Sequence, residues 1–268
     1  MTFSALRRHF LLASLTLTLT LGAGLFGQAQ AADDLLAQIK EKGQVRVGLE
    51  GTYPPFSFQD ENGKLAGFEV DFSELIAKEL GVTAKLQPTK WDGILAALES
   101  KRLDLVINQV TISEERKKKY DFSEAYTVSG IQALVRKGDE GKYDAPEKLA
   151  GVKVGVGLGT NYEQWLREHV PQADVRTYED DPTKFQDLRS GRIDVILVDR
   201  LAAFDMVNKT KGAMALTGAP FARQEAGIAL RKGNPELLAA LNKAIEKFRT
   251  DGTLKKLSEK WFQADVTQ

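Results

Sequence analysis

The sequence predicts an α/β protein made of two similar lobes. Three observations lead there. Strand-like and helix-like segments alternate along the chain, which implies mainly parallel sheets. One strand–helix pattern occurs twice at a long interval. About 237 residues follow an apolar leader, enough for one large domain or two ordinary ones, each with its own core.

The leader comes first. Arg7 and Arg8 give it a positive start, Phe10 to Phe26 is mostly apolar, and Ala29-Gln30-Ala31 is a small-x-small cleavage site. As a membrane anchor the run is short and broken by Ser and Thr. The expectation is a signal peptide at 1–31, cleavage near Ala32 and release into the periplasm. No Cys follows the run, so no lipid attachment is expected.

The first half then reads as follows. Gln44 to Glu50 alternates Val45, Val47 and Leu49 and breaks at Gly51 and Pro54-Pro55. Asp60-Glu61-Asn62-Gly63 is a hairpin turn between Phe56-Ser57-Phe58 and Leu65. Glu69 to Leu80 places Phe72, Leu75, Ile76 and Leu80 at helical spacing and stops at Gly81. Ile94 to Ser100 is an amphipathic helix feeding the apolar strand Leu103 to Ile107. Near the end, Asn234-Pro235 opens a helix running to about Thr250 and stopping near Gly252.

The repeat is the most informative feature. Leu98-x-Ser100-x-Arg102-Leu103-Asp104-Leu105-Val106-Ile107 returns as Leu188-x-Ser190-x-Arg192-Ile193-Asp194-Val195-Ile196-Leu197. Val45-Arg46-Val47-Gly48 with Gly51-Thr52 returns as Val152-Lys153-Val154-Gly155 with Gly159-Thr160. The copies lie about ninety residues apart by one match and just over a hundred by the other, too long for a solenoid, whose units run about 20–50 residues. Ligands of open α/β sheets bind beyond the carboxyl ends of the strands. Glu50 to Tyr53, Gln109 to Arg116, Gly159 to Tyr162 and Asp199-Arg200 follow the matched strands, so facing lobes would bring them to one cleft.

Composition removes several functions. The whole chain carries 37 basic and 37 acidic residues, and without Arg7 and Arg8 the balance is about −2, which offers no basic patch for a nucleic acid. With no Cys, there is no disulfide, thiol nucleophile or thiolate metal site. His169 is the one His after the leader, so a multi-His metal site is excluded, and no cofactor is expected. Gly155-x-Gly157-x-Gly159 lacks dinucleotide-loop spacing, and there is no P-loop. With no G-x-S-x-G and no outstanding acid pair, catalysis is poorly served and an enzyme is not expected.

The remaining chemistry suits a zwitterion. Gln109 to Arg116 leaves a buried strand, turns on Thr111 and Ser113 and enters a basic helix, Arg116 to Lys119. Turn N–H groups beside an Arg fork favour a carboxylate. The other reading is an ordinary capped helix with a solvated basic face, to which Lys117 to Lys119 are assigned. Gly159-Thr160-Asn161 opens a helix and also suits an anion, or is simply its cap. Asp199 ends a strand, where it either pairs with an ammonium or caps the helix of Arg200 to Asn208. Tyr53, Phe56 and Trp91 are core aromatics or, for Tyr53 and Trp91, cleft walls.

These segments resemble the polar amino-acid family of periplasmic solute-binding proteins over essentially the whole mature chain. The motifs are Gly51-Thr-Tyr-Pro-Pro-Phe-Ser-Phe58, Gly67-Phe-Glu-Val-Asp71, Thr111-Ile-Ser-Glu-Glu-Arg116, Asp121-Phe-Ser123, Gly159-Thr160 and Gly252-Thr253. Lys90-Trp-Asp-Gly93, Asn108-Gln-Val-Thr-Ile-Ser113, Val156-Gly-Leu-Gly-Thr-Asn-Tyr162 and Leu197-Val-Asp-Arg-Leu201 resemble the cystine-binding members more closely still. The resemblance implies a type II periplasmic binding protein fold, two α/β lobes joined by hinge strands near Ile131 to Arg136 and Ala226 to Arg231. Lobe 1 would be 32–133 plus 228–268, and lobe 2 would be 134–227.

The resemblance also implies site roles. Arg116 would clamp an α-carboxylate with N–H groups at Thr111 and around Thr160-Asn161. Asp199, the Thr111 hydroxyl and the Gln109 carbonyl would hold the α-ammonium. Tyr53 and Trp91 would sandwich the side chain, and Glu50 would meet its far end. The implied partners are L-cystine and an inner-membrane ABC permease, with the binding protein a monomer. Lysine, arginine, ornithine and glutamine compete as ligands. Two other classes compete as functions. One is a dehydratase on the same fold, with Glu50 as its acid. The other is a receptor ectodomain, which would need a separate signalling partner.

Overall fold

The structure is a computed structural model and describes residues 34–268; the expected signal peptide at 1–31 lies outside the described residues. Helix α1 (Leu35–Lys42) buries Leu35 and Ile39. It leads into β1 (Gln44–Leu49), whose Val45 and Val47 are fully buried. A three-stranded sheet follows: β2 (Thr52–Tyr53), β3 (Ser57–Gln59) and β4 (Leu65–Ala66). Its expected turn is present, with Asp60 Oδ1 accepting from the N–H groups of Asn62 at 2.9 Å and Lys64 at 2.8 Å. Gly67 then enters α2 (Phe68–Glu79) at φ 132°, where a Cβ would collide with the Phe56 carbonyl.

Strand β5 (Thr83–Pro88) and the short β6 (Leu105–Val106) flank β1, both parallel to it. Between them α3 (Trp91–Glu99) starts three residues before the first apolar position of its pattern, Ile94, so Trp91 is its opening residue. The expected basic helix is a single turn, α4 (Glu114–Lys117). The second half contains β8 (Lys153–Gly157), α5 (Asn161–His169), β9 (Asp174–Tyr178), α6 (Asp181–Arg189), β10 (Val195–Asp199) and α7 (Arg200–Lys209). Here β8 pairs in parallel with both β9 and β10.

Two long strands, β7 (Tyr120–Arg136) and β11 (Met214–Arg231), run antiparallel to each other through both halves. Ala229 and Leu230 of β11 pair with β6, whereas Ile131 and Val135 of β7 pair with the ends of β10. Each therefore keeps the other as a partner throughout and gains an outer partner only over its carboxyl-terminal part, β10 for β7 and β6 for β11. From Thr127 to Ile131, β7 pairs in unbroken register with Ala226 to Ala222 of β11, and the register shifts lie at Thr217/Ala222 and between Ala226 and Ala229. The stretches read from sequence as crossings, Ile131 to Arg136 and Ala226 to Arg231, contain the parts that carry those outer partners. The chain ends in α8 (Pro235–Thr250) and α9 (Thr253–Phe262), which return to the first half. Lys247 pairs with Glu79 at 2.6 Å, and Trp261 Nε1 donates to Asp71 at 2.8 Å.

The sequence repeat is also a repeat of contacts. Arg231, ending β11, donates to the carbonyls of Leu98 and Leu103, the first at 2.9 Å. Arg136, ending β7, donates to Leu188 and Ile193 at 2.9 and 2.7 Å. Asp104 N–H donates to the Arg46 carbonyl and Asp194 N–H to the Lys153 carbonyl, both at 2.9 Å. Gly48 and Gly155 lie under Leu103 and Ile193, where a Cβ on either would overlap the side chain above. The two halves are two copies of one α/β unit, and their strands' carboxyl ends meet at one cleft.

Candidate functional site

The cleft is lined by residues of both halves that follow the carboxyl ends of their strands. Six of the nine expected residues line it: Glu50, Tyr53, Trp91, Gln109, Thr160 and Asn161. Glu50 follows β1 and is fixed by Asn108, whose side-chain oxygen accepts from Glu50 N–H at 2.8 Å and whose Nδ2 donates to Glu50 Oε2 at 2.7 Å. Burial raises the Glu50 pKa to about 7; Asn108 and Lys184 oppose the rise, while Asp181 and Asp92 add to it. Tyr53 meets Tyr162 across the cleft, hydroxyl to hydroxyl at 3.4 Å.

Gln109 has φ 48°, in the left-handed region, and the turn is held from behind. Its N–H donates to Glu69 Oε1 at 2.6 Å, and its side-chain oxygen accepts from Thr127 at 2.9 Å. Burial raises Glu69 to about 7, with hydrogen bonds from Tyr126 and Gln109 opposing. Thr160 caps α5, its hydroxyl oxygen accepting from Glu163 N–H at 3.3 Å and its O–H donating to the Gly157 carbonyl at 2.7 Å. Asn161 Nδ2 is buried without a hydrogen-bonding partner among the described residues, so a donor is left for a ligand.

The other three, Thr111, Arg116 and Asp199, stand beside the cavity. The Thr111 carbonyl accepts from Arg116 Nη1 at 3.1 Å, and the guanidinium lies 5.2 Å from the centre of the Trp91 ring. Burial lowers the Arg116 pKa, and no carboxylate among the described residues forms an ion pair with it. Asp199 is 2% exposed and caps α7: its Oδ1 accepts from Leu201 N–H at 2.7 Å and from Ser129 Oγ at 2.9 Å. Capping was one of two readings of this residue, and burial nevertheless lifts its pKa to about 6 against those bonds. Tyr162 lies within electrostatic reach of both Arg116 and Asp199.

The match to a family model of bacterial extracellular solute-binding proteins, family 3, spans residues 45–264. The chain belongs to that family. It is 64% identical over 252 residues to the L-cystine-binding protein TcyJ of Escherichia coli strain K12, covering 94% of this chain and 95% of that one. It is 36% identical over 272 residues to the L-cystine-binding protein TcyA of Bacillus subtilis strain 168, covering 98% and 99%. Among solved structures, the amino acid ABC transporter substrate-binding protein AbpA of Streptococcus pneumoniae, bound to L-arginine, matches with a TM-score of 0.81. That match is at 29% identity and covers 87% of this chain and all of that one. The architecture is the family's two-lobed type II fold, and the relatives are binding proteins rather than enzymes.

The family's cleft here has more polar walls than the sequence motifs indicate. Asn108, Tyr162, Asp181 and Lys184 also line it. Asn108 and Tyr162 lie inside motifs already noted. Asp181 and Lys184 sit on α6, and the repeat itself could have found them: Asp181 to Ser190 is the second copy of Trp91 to Ser100. Since Trp91 opens the first copy at the cleft, the opening of the second belongs there too.

Proposed function

We propose that this chain is the periplasmic binding component of an amino-acid ABC importer and that its ligand is L-cystine. The observation that carries the ligand is the distribution of charge in the cleft. Arg116 and Asp199, beside the cavity and each within electrostatic reach of Tyr162, are one ionic group of this reading, and Glu50, Asp181 and Lys184, which line the cavity, are the other. Tyr53 lines the cavity within electrostatic reach of both Asp199 and Asp181. Cystine has matching parts, two zwitterionic ends joined by a disulfide, and sulfur against aromatic edges gains roughly 0.3–1.5 kcal/mol. The 64% identity to an L-cystine-binding protein supports the same ligand.

In this reading Arg116 forks onto one carboxylate, with N–H groups at Thr111, Thr160 and Asn161 assisting. Asp199, the Thr111 hydroxyl and the Gln109 carbonyl take the adjacent ammonium, and Tyr53 and Trp91 cover the disulfide. The protein acts as a monomer, and closure of the lobes creates the surface that an inner-membrane permease recognises. The lobes of the proposal are 32–133 with 228–268, and 134–227.

The test is calorimetry of ligand-stripped protein against cystine, arginine, lysine, ornithine and glutamine. Cystine is expected to bind most tightly, and dithiothreitol to abolish its advantage over cysteine. Tighter binding of arginine or lysine would overturn the cystine assignment.

A further inference from the structure

The cleft contains a buried cation that the first ionic group does not use. Lys184 lines the cavity with its side chain 2% exposed, and its Nζ pairs with Asp181 Oδ1 at 2.6 Å. An ammonium carries three N–H donors. That carboxylate oxygen is its one ion-pair partner among the described residues, so donors remain. The second oxygen, Asp181 Oδ2, is buried and without a hydrogen-bonding partner. Both groups are therefore half-satisfied in a place where unsatisfied polar atoms are costly.

The repeat shows that the fold does not require this charge. In its register Lys184 occupies the position of Ile94, which is 0% exposed. The two side chains pack alike: a Cβ on Gly48 would lie 3.1 Å from Ile94 Cγ1, and one on Gly155 would lie 3.3 Å from Lys184 Cγ. An apolar side chain satisfies this packing in one copy, so the ammonium in the other has a different reason. It also sits in the first turn of α6, where the helix dipole disfavours a cation.

The chemistry of the neighbours indicates what answers the charge. Glu50, Asp181 and Asp92 also line this part of the cavity and outnumber Lys184. A ligand end with only a cation would meet the acids but would face the ammonium and leave its donors unused. An end with both charges satisfies all of them.

We propose that Asp181 and Lys184 are the receptor for a second α-amino-acid head group, with Lys184 holding its carboxylate and Asp181 with Glu50 holding its ammonium. The ligand class is then a molecule with two such heads on a short apolar linker. The inference rests on the proposed cystine reading, in which the first head occupies the Arg116 group.

The test is calorimetry with two probes, cystine and the mixed disulfide of cysteine with cysteamine, which keeps the far ammonium and lacks the far carboxylate. Unaltered protein is expected to favour cystine by about thirtyfold or more, the scale of an unpaired buried charge. Lys184→Met is expected to bind the two probes about equally, with the mixed disulfide held at least as tightly as by unaltered protein. An undiminished preference for cystine in Lys184→Met would overturn the second head-group site alone. Equal loss of both probes would make Lys184 a structural residue and overturn it as well. If unaltered protein ignored cystine, the ligand reading and this inference would fall together.

Discussion

Lowering the pH from 8 to 6 is expected to weaken ligand binding by neutralising Glu50, and the size of the effect follows from its surroundings. Burial puts its pKa at about 7, so the ionised fraction falls from about nine-tenths to about one-tenth across that interval. If the ligand ammonium requires the carboxylate, the apparent Kd rises about tenfold. Asp199, at about 6, adds a further factor of about two. Glu69 also titrates near 7, sits behind Gln109 bonded to Tyr126, and is raised in part by the charge of Glu50. Asn108, Asp92, Asp181 and Lys184 are the remaining groups facing Glu50. Isothermal calorimetry at pH 6, 7 and 8 on the unaltered protein and on Glu50→Gln separates the contributions. The first is expected to span about twentyfold and the second about twofold. A flat profile, or the same slope in both proteins, would refute the role given to Glu50.

The sign for stability is opposite. A carboxyl raised on folding costs nothing below its ordinary value of 4.5, and the cost grows until it is complete above about 7. For Glu50 this is about 3 kcal/mol, so ligand-free protein loses stability as the pH rises through that window. Tm shifts produced by ligand should therefore be largest at the alkaline end, where the ammonium relieves the buried charge.

Three further outcomes are expected. Arg116→Ala should weaken binding by about 2–5 kcal/mol, and Arg116→Lys should restore little of it, because an ammonium cannot reproduce the fork; calorimetry checks both. Asp199→Ala should lose binding and also about 1 kcal/mol of stability through the α7 cap, whereas Asp199→Asn keeps the cap and loses binding only, as thermal melts beside binding curves would show. Small-angle scattering should give a smaller radius of gyration with ligand present, as the lobes close about β7 and β11.

Much of the fold was legible because local and tertiary signals agree. The β3–β4 turn, the α2 periodicity and the start of α8 at Pro235 all lie where sequence chemistry places them. The misreadings have physical causes. Trp91 begins α3 because a cleft aromatic occupies its first turn, and apolar spacing counts only from the core-facing Ile94. The segment after Ser113 forms one turn rather than a helix, since β7 begins at Tyr120 and leaves no room. The long strands β7 and β11 pair with each other throughout one eight-stranded sheet, and no local pattern marks where β10 or β6 joins their outer edges.

Within the cleft, comparing the two copies separates what the fold needs from what the ligand needs. Gly48 and Gly155, Arg231 and Arg136, and Asp104 and Asp194 match because each copy must pack a strand under its helix and tie off its sheet. The glycine and aspartate pairs belong to the repeat from which two lobes are read. Where the copies part company at the cleft, packing gives no account of the difference: Trp91 stands against Asp181, and Ile94 against Lys184. Motif reading favours the residues that recur, and so it passes over those that do not. A duplicated fold should therefore be searched for function at positions where its copies disagree while their backbones agree. On that criterion Lys184 ranks above Thr160, whose hydroxyl already bonds to Gly157 and Glu163 within its own helix cap.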